Sequence, residues 1–446
     1  MKLKRILLIA AAVFLLLLVA VPFLIPTGSY ISQIERQAAE KLGEPVAIES
    51  LHVALLPSPR VKLGGIVVGK DAELRVANVL AVLDMATLFD AVRVVSRLEV
   101  DQPVVKKAAL EIFSRLAAQQ PATGEVAPVA LRSIVLHGAR LEWDGMNLPS
   151  LDVDVAMSDA GAMQQAVLAS SDGKLTVKAA PKGDGYAARV DAKHWTLPAG
   201  PSVVFDTLSA DLEYHSQTLD VPHIEAGLYS GKLSASTKLD WQKDWLLTGK
   251  FKSEAIELGA ASKLFTRSVR VSGHISGSGA FASRAKEPGQ LADHLVLDYR
   301  FSVANGVLYG VDLVKAASLL VQQGQTGGET QFNELSGQLH TSGKQIELSQ
   351  MRIASGLLAA QGNLKITPDR KLSGKMDAEL KKGVALVTVP LEISGTLDQP
   401  SVMPTKGAMA GAVAGTALLG PGLGTSLGMK AGSAMGKVKN LFGGGK

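Results

Sequence analysis

The chain contains no cysteine and few aromatic residues. Cysteine is absent from all 446 positions, and Phe, Trp and Tyr together make up 5% of the chain. The lack of thiols excludes a disulfide framework, a thiolate metal site, a cysteine nucleophile and a lipid-modified cysteine. The scarcity of aromatic rings is unlike an enzyme with an aromatic-lined pocket, whereas the 45 glycines suit many short strands joined by turns.

Acidic residues are missing from both ends of the chain. Residues 1–5 carry three basic groups and residues 403–446 carry five, and neither segment contains Asp or Glu. Residues 6–402 hold 38 basic and 41 acidic residues, so this body is net negative although the whole chain is +5. A nucleic-acid-binding surface needs the opposite balance, so we expect no nucleic-acid partner. Basic ends on an acidic body fit contact with anionic lipid.

Motifs for catalysis and cofactor binding lack their required context. Residues 424–428 match the G-x-S-x-G pattern, but the preceding residues 420–423 (GPGL) do not form the strand that a nucleophile elbow needs. Residues 283–286 match S-x-x-K without a K-T-G partner. No P-loop occurs, and the eight His residues are scattered, so we expect no cofactor and no metal site. The sequence therefore predicts a protein that is not an enzyme, with an exported hydrolase as the least favoured alternative.

Charged residues are also absent from residues 6–25, an uninterrupted apolar run that follows Lys2, Lys4 and Arg5. At about 1.5 Å per residue the run reaches about 30 Å as a helix, the thickness of a bilayer's hydrocarbon core. A cleaved signal peptide is the alternative, but its apolar region is usually about 7–15 residues long. We predict a cytoplasmic segment at residues 1–5, a transmembrane anchor at residues 6–25 and a body on the far side of the membrane.

After this run, the periodicity predicts one amphipathic helix. Ile31, Ile34, Ala38 and Leu42 share one helical face, Ser29 is expected to cap the start, and Gly43 to end the helix.

The body then alternates apolar and polar residues with a period of two. This pattern predicts half-buried antiparallel strands, and it is clearest at residues 97–101, 151–157, 232–241, 295–303 and 372–380. Turn residues are expected to separate strands at 182–185, 305–306, 342–344 and 368–369. Short helices are predicted at 104–120, 256–266 and 311–323, and residues 121–128 (PATGEVAP) are interpreted as a linker.

The apolar face of so many strands must be covered. The predicted helices are too few to cover it, so the sheet either closes as a β-sandwich or barrel, or curls into an open apolar groove that a ligand covers. Composition alone favours the closed form. The fold class is therefore mainly β (α+β) with a few short helices.

Four stretches of sequence follow one another in a distinctive order. Residues 48–68 read IESLHVALLPSPRVKLGGIVV, residues 301–313 read FSVANGVLYGVDL and residues 391–405 read LEISGTLDQPSVMPT. Paired hairpins between 337 and 380 complete the order of motifs, together with the anchor and the helix after it. This order resembles the AsmA family of Gram-negative bacteria. The resemblance covers nearly the whole exported chain and is strongest in the N-terminal 100 residues and at 295–405.

The resemblance implies a single-pass protein of the inner membrane with its N-terminus in the cytoplasm and its body in the periplasm. It implies an elongated, curled antiparallel sheet with an apolar groove, divided into an N-terminal region at 27–120 and a groove region at 129–405. The expected function is phospholipid transport and outer-membrane assembly or homeostasis, with no catalytic residues. A structural or assembly factor for outer-membrane proteins is the alternative.

Inward-facing strand residues are the candidates for contact with an acyl-chain lipid, and core packing is the competing interpretation for each. They are Leu295, Leu297, Tyr299, Phe301, Val303, Leu372, Met376, Leu380, Val389, Leu391 and Ile393.

The tail at 406–446 is rich in Gly and Ala, with glycine recurring every fourth residue. Such spacing lines small residues along one helix face, where a second helix can approach closely, and lysines follow that suit an anionic lipid surface. A helical hairpin that contacts a membrane or an envelope protein is one hypothesis, and a flexible tail is the other. The contact candidates are Gly411, Gly415, Gly424, Gly428, Gly432, Lys437 and Lys439.

Overall fold

The computed structural model describes most of the body of the chain. The described residues are 27–87, 90, 92–109, 112, 129–143, 148–198, 202–262, 270–318, 327–382, 385–419, 429 and 431. The predicted anchor at 6–25, the predicted linker at 121–128 and most of the tail lie outside them. Within the described ranges, no helix combines the length and the apolar character needed to cross a bilayer.

The fold is mainly β, as predicted, and the chain divides into two compact units at residues 1–203 and 204–446. The first unit contains helix α1 (Thr27–Leu42) and eleven strands in its described part. The strands are β1 (Val46–Ala54), β2 (Arg60–Val68), β3 (Leu74–Leu83), β4 (Arg93–Asp101), β5 (Val104–Lys106), β6 (Val129–Leu131), β7 (Ser133–Glu142), β8 (Leu151–Met157), β9 (Met163–Ser170), β10 (Leu175–Lys182) and β11 (Gly185–Thr196).

Helix α1 matches the predicted amphipathic helix and packs on β1. Its end is as expected: Gly43 has a positive φ of 69°, and its N–H donates to the Ala39 carbonyl at 2.8 Å. Ser29 lies inside the helix, so its predicted capping role is wrong. The Glu35 carboxylate accepts the backbone N–H of Ile48 at 2.8 Å, which fastens the helix to the first strand.

The first unit departs from a purely antiparallel sheet at one junction. Strands β1–β4 pair in antiparallel fashion, and so do β7–β11, but β4 and β5 pair with β7 in parallel. The predicted helix at 104–120 begins instead as strand β5, because residues 104–105 pair with the start of β3. Parallel neighbours need a long connection, and here it is the segment between β5 and β6.

The second unit is antiparallel throughout its described strands, in chain order except that β16 lies beside β18. Its helices are α2 (Leu258–Ser262), α3 (Leu313–Ala317) and α4 (Lys406–Leu419). Its strands are β12 (Val204–His215), β13 (Thr218–Leu228), β14 (Gly231–Asp240), β15 (Trp245–Glu257), β16 (Arg270–Val271), β17 (His274–Ala285), β18 (Val296–Tyr309), β19 (Glu329–Ser342), β20 (Gln345–Ala354), β21 (Leu358–Ile366), β22 (Leu372–Lys382), β23 (Ala385–Gly395) and β24 (Pro400–Pro404).

The five strands predicted from alternation are confirmed, as are the turns at 182–185, 342–344 and 368–369. Helices α2 and α3 lie within the predicted segments 256–266 and 311–323. The predicted turn at Asn305 is wrong, because the chain continues through it as β18. Asn305 has a φ of 50°, yet Ala304 and Gly306 on either side both pair with β19. A left-handed residue here makes a local irregularity in a long strand, where β18 passes from pairing with β17 to pairing with β16.

Candidate functional site: an apolar sheet face

The register of the second unit aligns apolar side chains on one face of its sheet. Residues directly opposite one another share a face, and one such row runs Ala235, Phe251, Gly279, Tyr299, Leu339 and Leu348. The neighbouring row on the other face runs Lys252, Ser278, Arg300 and Gln338. The sheet therefore has an apolar face and a hydrophilic face across the strands from β14 to β20.

The C-terminal strands bury their part of the apolar face in what we call the closed core. It is built from β19–β24, the Val303 end of β18, and helices α3 and α4. Val389 and Leu391 are 0% exposed, and Ala408 of α4 is 0% exposed as well. Helix α3 contacts β19, β22, β23 and β24, so these strands surround it.

Polar groups inside the closed core are satisfied locally. Thr330 is 2% exposed; its hydroxyl donates to the Val311 carbonyl at 2.8 Å and accepts the Leu313 N–H at 2.9 Å. Asp312 caps α3 by accepting the Lys315 N–H at 2.8 Å. These bonds fix the short helix that covers the sheet.

Further toward β12 most of the large side chains on the same face are only half-buried, although Val221, Ala226 and Leu228 of β13 are buried, and we call this part the open face. It comprises the apolar-side residues of β12–β15, β17 and β18 as far as Phe301. Its half-buried members include Leu208, Ile224, Leu233, Leu239, Leu247, Phe251, Phe281, Leu297, Tyr299 and Phe301. Tyr214 at its margin is 40% exposed.

Aromatic rings follow one another along the open face in two groups. In the first, Tyr214 stacks on Trp241 with ring centroids 6.0 Å apart, and Trp241 stacks on Trp245 at 5.3 Å. In the second group, the ring centroid of Phe251 lies 6.5 Å from that of Phe281 and 5.2 Å from that of Tyr299. The ring centroids of Tyr299 and Phe301 are 6.0 Å apart. Few aromatic residues occur in this chain, so their concentration here marks the surface.

Two glycines of β17 let the rings on the adjacent strands β15 and β18 lie close to the sheet. A Cβ atom at Gly279 would stand 2.7 Å from the Phe251 ring, and one at Gly277 would stand 2.8 Å from the Tyr299 ring. Both separations are closer than carbon atoms tolerate, so the rings occupy space that a side chain would fill. The rings therefore lie flat against the backbone of β17, and this part of the open face has a smooth surface.

The phenol of Tyr299 is a polar group on this surface, and it has a partner. Its oxygen lies 2.6 Å from the Ser253 hydroxyl. Burial raises the pKa of Tyr299, while the hydrogen bond to Ser253 acts in the opposite direction. The neutral phenol is thus the favoured form beside an apolar ligand.

The structure separates the predicted lipid contacts into two sets. Four are half-buried near or on the open face: Leu295, Leu297, Tyr299 and Phe301. Seven are 0–8% exposed in the closed core, where they pack against other side chains: Val303, Leu372, Met376, Leu380, Val389, Leu391 and Ile393. The second set therefore has the environment of core residues.

Part of the tail also belongs to the closed core. Gly411 and Gly415 lie in α4, whose Ala408 and Ala412 are buried, and Met429 is 0% exposed. The other tail candidates, Gly424, Gly428, Gly432, Lys437 and Lys439, lie outside the described residues.

The aromatic members of the open face on β15 and β17, Phe251 and Phe281, were not among the predicted contacts. Phe251 stands between two lysines in the sequence and Phe281 between two alanines, and their meeting with Tyr299 depends on strand order and register. No group of three or more metal-ligating side chains occurs in the described part of the chain. No protein-family model, curated protein or solved structure matches this chain.

Proposed function

We propose that this protein holds the acyl chains of a phospholipid on its open face, as an AsmA-like protein anchored in the inner membrane with its body in the periplasm. In this role it supports phospholipid transport and outer-membrane assembly. The observation that carries the proposal is the contrast in exposure along one apolar face. Leu391 is 0% exposed in the closed core, whereas Leu297 and Phe251 remain half-buried on the open face.

The dimensions of the open face suit an acyl chain. It crosses six strands, and five spacings of about 4.8 Å give about 24 Å. One leaflet contributes about 15 Å of a bilayer's hydrocarbon core, which is about 30 Å thick. A chain lying across the strands would be covered along its length, and each methylene removed from water contributes about 0.8 kcal/mol.

The chemistry of the open face favours lipid over a folded partner. Its rings and aliphatic side chains offer non-directional contacts, and the Tyr299 hydroxyl is already bonded to Ser253. Such a surface gives affinity without fixing one position, which suits a chain that slides. The apolar run at residues 6–25 supports a location at a membrane, where lipid is supplied.

A photo-crosslinking residue placed on alternate faces of β18 tests the proposal. The full-length protein would carry the crosslinker at Leu297 on the open face or, as a matched control, at Asp298 on the hydrophilic face of the same strand. After irradiation in Gram-negative cells, adducts would be identified by mass spectrometry. We expect phospholipid adducts from position 297 and not from position 298.

Two results would contradict the proposal. Absence of lipid adducts from position 297 and from a second open-face position, Leu247, would exclude the acyl-chain site. Adducts of position 297 with an outer-membrane protein would favour the assembly-factor alternative, in which the closed core is the functional body and the open face is a protein interface.

A further inference from the structure

The hydrophilic face of the same unit contains an open cleft of about 760 Å³. It lies over β15, β17, β18, β19 and β20, on the side of the sheet opposite the open face. Its lining includes four serines of the hydrophilic face, two glutamines, Glu254 and the basic side chains of Lys252, Arg300 and Arg352. The single layer of strands separates it from any ligand on the open face.

Two β-bulges border the cleft. Strand β15 has an extra residue between Ser253 and Ile256 relative to β17, and β20 has one between Leu348 and Met351 relative to both of its neighbours, β19 and β21. Ala255 and Gln350, within these two bulges, both have φ near 50°. Bulges bend their strands and increase the local twist, so two of them on this part of the sheet favour a concave surface.

The register places the two arginines on either side of a polar patch. Arg300 lies opposite Gln338, while Ser302, Ser336 and Arg352 form the adjacent row across β18, β19 and β20. The arginines are thus two strands apart and displaced by two residues, about 12 Å between Cα atoms from strand spacing and rise. At that distance the guanidinium groups of Arg300 and Arg352 can both reach a ligand that lies over Ser336.

The cleft has a net positive charge, which comes from its two arginines. Lys252 and Glu254 satisfy each other, with their charged atoms 2.6 Å apart, and this contact lowers the pKa of Glu254. Arg300 and Arg352 are exposed and take part in none of the ion pairs among the described residues. Gln338, between them, is held by a 3.0 Å hydrogen bond from its amide to Gln350.

We propose that this cleft binds a phosphate group between Arg300 and Arg352. A guanidinium presents paired N–H donors that match phosphate oxygens, and arginine stays charged at every physiological pH. The hydroxyls of Ser302 and Ser336 supply further donors from the floor. The bound phosphate belongs to a free phosphate compound or to a lipid headgroup, and the proposal stands independently of acyl-chain binding on the other face.

Calorimetric titration of the full-length protein in an uncharged detergent tests this site. The probes are inorganic pyrophosphate, a free phosphate compound, and glycerophosphoglycerol, a headgroup without acyl chains. The variant Arg300→Gln/Arg352→Gln removes both guanidiniums. The matched control Lys250→Gln/Lys375→Gln removes the same charge from exposed positions of the hydrophilic face outside the cleft.

We expect at least one probe to bind and the arginine variant to bind it at least about tenfold more weakly, the loss typical of hydrogen bonds to a charged group. The lysine variant should bind nearly as well as the parent, and binding should weaken with added salt. The probe that binds more tightly identifies the source of the phosphate. Binding of neither probe, or equal loss in the two variants, would overturn the proposal. Equal thermal midpoints of the two variants would show that both remain folded.

Discussion

The open face and the closed core are two parts of one apolar sheet surface in residues 204–446. Both derive from strands that alternate apolar and polar residues, yet Val389 is 0% exposed and Leu297 remains half-buried. The difference lies in where the chain supplies helices. Helix α3 is inserted between β18 and β19, and α4 follows β24, so both helices are connected directly to the strands of the closed core.

The two parts also differ in the side chains that they use. The closed core is filled mainly by Leu, Val, Met and Ala, with Phe332 as its one buried aromatic residue among those described. The open face instead carries flat rings above glycines. Aliphatic side chains of varied height interdigitate with a second layer, whereas flat rings give a smooth surface. We infer that an apolar sheet face covered by the protein's own helices uses aliphatic side chains, whereas a face covered by a ligand uses aromatic rings. Both kinds of face derive from the same alternating strand pattern.

The largest effect is expected from truncating a leucine in the closed core. Leu391→Ala should lower the free energy of unfolding by about 3 kcal/mol, because the cavity left among packed neighbours cannot collapse fully. The matched change on the open face, Leu247→Ala, should cost less than about 1 kcal/mol without lipid, since Leu247 keeps partial contact with solvent. Urea unfolding of both variants measures the difference.

Equal losses at the two positions would break the comparison, because they would mean that the open face is packed as tightly as the closed core in solution. Addition of phospholipid should increase the cost of Leu247→Ala and leave that of Leu391→Ala unchanged.

A smaller effect is expected from adding one methyl group beneath a ring of the open face. Gly279→Ala should destabilise the protein by about 2 kcal/mol, the usual cost of inserting a group into occupied space. Its Cβ would meet the Phe251 ring at 2.7 Å and would also contact the Asp298 carbonyl oxygen, whereas a Cβ at Gly337 would meet the Phe301 ring and the Ser349 carbonyl oxygen at 3.3 Å. Gly337→Ala is therefore the control and should cost less in the same unfolding measurement. The reverse order would mean that the space at Gly279 is less crowded than these separations indicate.

Sequence patterns predicted the strands of the second unit well and placed α2 and α3 within longer helical segments, whereas the helix predicted to begin at residue 104 in the first unit begins as a strand. Strict alternation in residues 295–303 and 372–380 locates β18 and β22, because successive side chains of a strand point to opposite faces of the sheet. The same alternation could not separate Leu297 from Leu391, since exposure depends on which strands the helices α3 and α4 cover. The helix predicted at residues 104–120 begins instead as a strand, because Val104 and Val105 pair with β3, a contact between segments that local sequence does not show.

The aromatic cluster required information that no local pattern holds. Phe251 and Tyr299 are far apart in the chain and meet through the pairing of β15 with β17 and of β17 with β18. The phosphate cleft is similar: Arg300 and Arg352 are ordinary outward-facing residues in the sequence, and the bulges that bend the sheet between them depend on register.

The smallest effect is the titration of Tyr299, which reports whether the open face is covered. Burial raises its pKa above the ordinary value of 10.0, so the folded state favours the neutral phenol. The associated stability is present below pH 10 and is lost as the pH rises through the raised pKa. The absorbance titration of the parent minus that of Tyr299→Phe should give a midpoint above 10, and bound phospholipid should raise it further by excluding water. Ser253→Ala should also raise it, because the Ser253 hydroxyl stabilises the phenolate. A midpoint that phospholipid leaves unchanged would mean that the lipid does not lie over Tyr299, and would confine any acyl-chain contact to strands β12–β15.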